Sequence, residues 1–111
     1  PAGAGQVWKL DLARQEVSLV VQPDDRALLD GPDNLVEAPF GDLLVCEDGD
    51  GDDRVMGITA AGRLYPFARN ARNGMEFAGA CFSPNGQTLF VNLQEPGVTF
   101  AIWGPWDHRR A

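Results

Sequence analysis

This chain is poor in the residues that carry nucleophilic or soft-metal chemistry. Its 111 residues include one histidine, His108, and two cysteines, Cys46 and Cys81. Ser18 and Ser83 have no histidine near them in sequence, and no glycine-rich phosphate loop of the P-loop type occurs. His108 stands beside Arg109 and Arg110 and reads as part of a frayed tail. Basic residues are also scarce. Nine Lys+Arg against 16 Asp+Glu give a formal net charge of -7, which argues against nucleic acid and against an anionic membrane surface as partners. No apolar run approaches the roughly 20 residues that span a bilayer. No secretory signal opens the chain, and it begins on Pro1 without Met, as a processed or excerpted sequence would. Helical patterning is missing too: no segment keeps a 3.6-residue apolar period for three turns, and 13 Gly and 8 Pro divide the sequence into short runs.

What remains is strand. Hydrophobic residues make up 44% of the chain, enough for a core. Nine strands are predicted, at Val7–Leu12, Glu16–Gln22, Leu35–Ala38, Leu43–Glu47, Arg54–Thr59, Arg63–Ala68, Ala78–Phe82, Thr88–Leu93 and Val98–Trp103. A turn closed by Gly and followed by an apolar strand occurs twice, about 45 residues apart, at Pro39–Val45 and again at Pro84–Val91. A second element, Val7–Leu12, returns as Val55–Ala60 and as Val98–Trp103. Repeats of this length built from short strands indicate the four-stranded blades of a β-propeller. The fold class is therefore all-β: about two and a quarter antiparallel blades of an incomplete propeller. Residues 1–30 end one blade, 31–70 form a full blade, 71–106 form a partial blade and 107–111 are a tail. Closed propellers use about four to eight blades. Open blade edges aggregate unless covered, so the segment is expected to belong to a longer chain and to be poorly soluble alone.

In an antiparallel blade the loop before the innermost strand and the loop between the second and third strands emerge at the same end of the channel. Here those loops carry Asp33-Asn34, Glu76, the acidic stretch Glu47–Asp53 and Asn92–Glu95. Oxygen ligands converging on one rim suit a hard cation such as Ca²⁺, which cancels the repulsion between clustered carboxylates. Asp48, Asp50 and Asp52 have EF-hand spacing, but the sixth position is Asp53, not Gly, and the twelfth is Thr59, not Glu, so that reading fails. Strand alternation turns Glu47 and Asp48 to opposite faces, and Asp48 is the better channel candidate. Other readings stay open: an exposed acidic turn over residues 48–53, an Asx turn at Asp33-Asn34, and a salt bridge from Glu76 to Arg69 or Arg72. Cys46 and Cys81 read as small buried apolar residues, with a disulfide joining two blades as the alternative. Trp8, Trp103 and Trp106 read as packing between blades.

The run PDNLVEAPFGDLLVCEDG from Pro32 to Gly49, FARN at Phe67–Asn70, EFAGACFSPNGQTLFVNLQEPG from Glu76 to Gly97 and WGPW at Trp103–Trp106 resemble the C-terminal part of the PhoX-type bacterial alkaline phosphatases. The resemblance covers nearly the whole chain and is weakest before Gly31. It implies a six-bladed propeller in a periplasmic or secreted phosphatase, exported folded by the twin-arginine route. Such enzymes hydrolyse phosphate monoesters with ferric and calcium ions at the channel mouth. Asp33 matches the Asp of the family's Pro-Asp-Asn motif and Glu76 the acidic residue of its Glu-Phe-x-Gly motif, both as calcium ligands. Asp48 matches the Asp-Gly that closes the second strand. Cys46 does not match the family's iron-bridging cysteine, and the Fe³⁺ ligands are expected outside this segment. The segment would then supply calcium ligands and ring closure without catalysing alone, alongside the remaining propeller blades. A non-catalytic scaffold of the same family and a calcium-dependent propeller of the gluconolactonase kind are the alternatives.

Overall fold

The computed structural model describes residues 5–106; Pro1, His108 and the tail expected at 107–111 lie outside them. The described residues form nine antiparallel strands in three sheets and no helix. The first sheet pairs β1 (Val7–Asp11) with β2 (Glu16–Val21). The second runs in order through β3 (Pro32–Glu37), β4 (Leu43–Glu47), β5 (Arg54–Ile58) and β6 (Leu64–Arg69). The third holds β7 (Phe77–Phe82), β8 (Thr88–Leu93) and β9 (Val98–Trp103). This succession of two, four and three strands is the one expected of a partial propeller, and no sheet closes on itself.

The sheets stack face to face, and the pleat of β4 shows why its sequence is almost continuously apolar. Successive side chains of a strand point to opposite faces. Val45 joins Val7, Leu29, Met56 and Ile58 in the core against the first sheet. Leu44 and Cys46 face the other way, into the core shared with Phe77, Leu89, Val91 and Leu93 of the third sheet. A strand covered on both faces has no room for a polar alternation. The inner strands β3 and β4 thereby come to lie against β7. On the outer side of this junction Trp106 closes the core. Its ring stacks near Phe40 and Phe67 and meets Phe82 edge-on at centroid separations of about 6 Å, and its Nε1–H donates to Gln87 O at 2.8 Å.

Several expectations need correction. β3 begins at Pro32, not at Leu35, so Asp33 and Asn34 lie in the strand and form no Asx turn ahead of it. Pro is tolerated at a strand's first residue, where its missing N–H costs no ladder bond, and the turn is made one residue earlier by Gly31 at φ 59°. Trp106 packs between sheets, but Trp8 and Trp103 are 54% and 74% exposed. Trp8 shares an outward face of the first sheet with Leu10, Val17 and Leu19, and Trp103 pairs with Thr88 at the end of the third sheet. Neither cysteine is in a disulfide: Cys46 is buried, whereas Cys81 is exposed opposite Phe90.

Leu89 is completely buried at the centre of this junction and Leu12 is 80% exposed in a turn. Leu89→Ala is expected to cost about 2–5 kcal/mol of stability through lost burial and the cavity left behind. Leu12→Ala is expected to stay within about 0.5 kcal/mol. Urea melts of the two variants against the parent check both.

Candidate metal centre

Three carboxylates far apart in the chain meet at one end of the second and third sheets, and the backbone explains how each arrives. Asp33 is the extra residue of a β-bulge. Pro32 pairs with Glu47 and Asn34 with Cys46, which leaves Asp33 without a partner in the ladder. A bulge re-aims a side chain out of the regular alternation. Asp48 follows directly after β4, and its N–H donates to Gly31 O at 2.8 Å. Glu76 precedes β7, where its carbonyl accepts from Gln94 N at 3.2 Å. The two bonds occupy the same place in successive sheets, so Gly31 corresponds to Glu76 and Asp48 to Gln94. Because β7 packs on β3 and β4, the end of β4 in one sheet faces the start of β7 in the next. One oxygen each from Asp33, Asp48 and Glu76 lies within 4.8 Å of the other two.

Glu76 registers the crowding of negative charge at this rim. Partial burial pushes the Glu76 carboxyl above its ordinary range, and the negative charges of Asp48, Asp33 and Asp53 push it the same way. No ion pair joins Glu76 to Arg69 or Arg72 among the described residues; Arg69 pairs with Asp52 at 3.5 Å instead. Beneath the trio lies Cys46. Burial pushes its thiol up to about 11, the Ala80 N–H bonded to its sulfur opposes this, and Asp33 and Glu76 add to the rise. The Ala80 amide reaches Cys46 because a second bulge, between Ala78 and Cys81, interrupts the β7–β8 ladder.

The rest of the acidic loop faces elsewhere. Glu47 is only 2% exposed, and its two oxygens accept from Arg54 Nε and Nη2, both at 2.8 Å. Glu47 Oε1 also accepts from Asp30 N at 2.9 Å. These bonds hold the Arg54 guanidinium above its usual pKa. Asp53 accepts from Gly49 N at 3.1 Å, and Asp30 accepts from Asp50 N at 3.2 Å. Burial, followed by neighbouring carboxylates, raises the Asp53 carboxyl, and the Gly49 N–H offsets part of the rise. Asp50 and Asp52 are exposed. Of the loop's acids, Asp48 alone belongs to the trio. Sequence reasoning overlooked Arg54 and Asp30, although a signal for Arg54 existed. Glu47 ends one predicted strand and Arg54 begins the next, and the observed pairing of Cys46 with Val55, continued toward the acidic loop, sets the two opposite each other.

As a donor set the trio fits a hard cation. Calcium takes oxygen ligands at about 2.3–2.6 Å, so two oxygens across the ion stand about 5 Å apart, and all three donors here are carboxylates. Carboxylate donors favour calcium, magnesium or manganese over thiolate-seeking ions.

The family model for alkaline phosphatase PhoX matches residues 3–97 of the chain. The chain belongs to the PhoX family. No curated protein and no solved structure gives a significant match. The PhoX match spans all three carboxylates and both bulges, and this family suggests dependence on metal.

Two outcomes test the local geometry. A Cβ on Gly31 would sit 2.4 Å from Asp48 O, in a conformation that L side chains rarely adopt, so Gly31→Ala must displace Asp48. If the trio takes a hard cation, the affinity read by calorimetry is expected to fall about 10-fold or more with every carboxylate kept. The second outcome concerns alkaline pH. Burial pushes the Cys46 thiol from the ordinary value of 9.0 to about 11 in the folded state. Between those values the folded state binds more protons, so stability falls as pH rises through the window and is unaffected below it. The expected loss is on the order of 2 kcal/mol. Denaturant melts from pH 8 to 11 check this, and Cys46→Ala removes that part of the slope.

Proposed function

We propose that this chain is the C-terminal portion of a secreted, calcium- and iron-dependent phosphomonoesterase of the PhoX family. In that enzyme it contributes calcium ligands and ring closure and does not catalyse alone. Residues 1–30, 31–70 and 71–106 serve as the end of one blade, a full blade and a partial blade, and the remaining blades complete the ring. The observation that carries this reading is the meeting of Asp33, Asp48 and Glu76 within 4.8 Å at the junction of two sheets, in a chain of this family.

In the proposed enzyme Asp33, Asp48 and Glu76 hold calcium, while the ferric ion takes its ligands from outside the segment. The chemistry supplied by the bound metals is neutralisation of the phosphate oxygens and of the charge developing on the leaving group. The chain's own residues fix where that charge sits. Asp33 and Asp48 project from one sheet and Glu76 from its neighbour, so their spacing depends on how the blades pack. The proposed substrate is a phosphate monoester and the proposed compartment periplasmic or extracellular; family membership supports both readings.

The test is hydrolysis of p-nitrophenyl phosphate by the intact, metal-replete protein before and after chelation. Turnover is expected, with loss on chelation and recovery when calcium and iron are returned. Glu76→Gln keeps the shape of the side chain and removes its charge. It is expected to lower both calcium affinity and activity about 10-fold or more, with an unchanged circular dichroism spectrum. A metal-replete intact protein without turnover would remove the enzyme reading. Unchanged calcium dependence in Glu76→Gln would remove Glu76 from the site.

A further inference from the structure

We infer that the pair of buried Glu47 and half-buried Arg54 is a positioning device for the carboxylate trio, acting on Asp48 from behind. The inference rests on the reading of Asp48 as a cation ligand and names the group that sets its geometry. Glu47 and Asp48 are adjacent in sequence and face opposite ways at the end of β4. The Glu47 carboxylate makes three charge-assisted hydrogen bonds at 2.8–2.9 Å, two from the Arg54 fork and one from Asp30 N. The fork ties the end of β4 to the start of β5. The third bond pins the residue immediately before Gly31, and Gly31 O in turn receives the Asp48 N–H. A closed circuit therefore runs from Glu47 through Asp30 and Gly31 to Asp48 and back along the chain. It holds Asp48 through the preceding residue and through its own N–H, and sets the entry to β3, just ahead of the bulged Asp33.

A stability role alone accounts poorly for this arrangement. An ion pair with one partner buried and the other half-buried is a weak source of net stability, because desolvation of the buried charge offsets much of its attraction. All three bonds converge on the Glu47 carboxylate, one residue before Asp48, and one of them holds the backbone that leads through Gly31 into β3 and Asp33. The network also divides the labour among the acids. Glu47 takes the cationic partner and the Asp30 N–H, so the Arg54 fork is engaged away from Asp48, which is left to a metal. Outer groups of this kind typically alter metal affinity about 10–100-fold when changed, by orienting the ligands they support.

Terbium(III) luminescence on the intact protein, cleared of metal by chelator, tests this, since the emission lifetime in H₂O and D₂O counts the waters left on the ion. Asp48→Asn, Glu47→Gln and the double variant are compared with the parent, with urea melts in the absence of metal to follow stability separately. Asp48→Asn is expected to weaken terbium binding and to admit about one more water. Glu47→Gln is expected to lower affinity about 10-fold or more and to admit the same water. The double variant is expected to bind no more weakly than Asp48→Asn alone, because both changes remove one contribution. A merely structural role moves the melts, leaves the water count unchanged and lets the two changes add. Should Glu47→Gln fail to fold, Arg54→Lys, which keeps the charge and loses the fork, is read in the same way. Unchanged affinity and water count in Glu47→Gln or Arg54→Lys, or full additivity in the double variant, overturns the inference while the metal site stands. No terbium binding by the parent, or no effect of Asp48→Asn, overturns the reading of the site together with the inference.

Discussion

Face-to-face packing of the second sheet on the third is the constraint behind every other feature of the site. Leu44 and Cys46 on one side, and Phe77, Leu89, Val91 and Leu93 on the other, form one apolar seam. Each such side chain contributes about 1.5–3 kcal/mol when fully buried. Several of them outweigh the repulsion among carboxylates at a rim where two are exposed and water screens their charge. The seam fixes the distance from β4 to β7, and with it the distance from Asp48 to Glu76. The seam's composition thus governs the separations of polar groups that never enter it.

The acids near the trio fall into two populations. Asp30, Glu47 and Asp53 are answered by protein donors: backbone N–H groups for all three, and arginine for the first two. Asp33, Asp48 and Glu76 face one another across the sheet junction. Composition does not separate these populations, because both are carboxylates on acidic, turn-rich segments. Backbone geometry does. Members of the first group point back into a loop drawn tight by Gly31 and Gly49, where an added Cβ would meet Asp48 O or the Asp30 carboxylate. Members of the second stand at a bulge, just past a strand's end and just before a strand's start.

The fold was legible in the sequence because it depends on periodicity. Alternation within strands and a repeat of about 45 residues sufficed to give the division into two, four and three strands. The three candidate ligands were legible for a related reason, since strand direction alone sends their loops to one end. Hidden from the sequence was whatever depends on a single residue's backbone state. A bulge adds one residue without changing composition, so Pro32-Asp33-Asn34 reads as a turn although it pairs as a strand. The cysteines and tryptophans were hidden for a different reason. Their residue types predict burial, yet Cys81, Trp8 and Trp103 lie on sheet surfaces that no described residue covers, while Cys46 and Trp106 occupy the seams.

The division of the trio between sheets, two carboxylates from one and one from its neighbour, would make any ion capture a property of docking and not of either sheet alone. A chain whose blades have formed but not yet met would hold Asp33 and Asp48 without Glu76, and an unfolded chain would hold all three dispersed. Affinity would therefore appear only with correct assembly, so occupancy by a cation would certify that the neighbouring blades have seated in register.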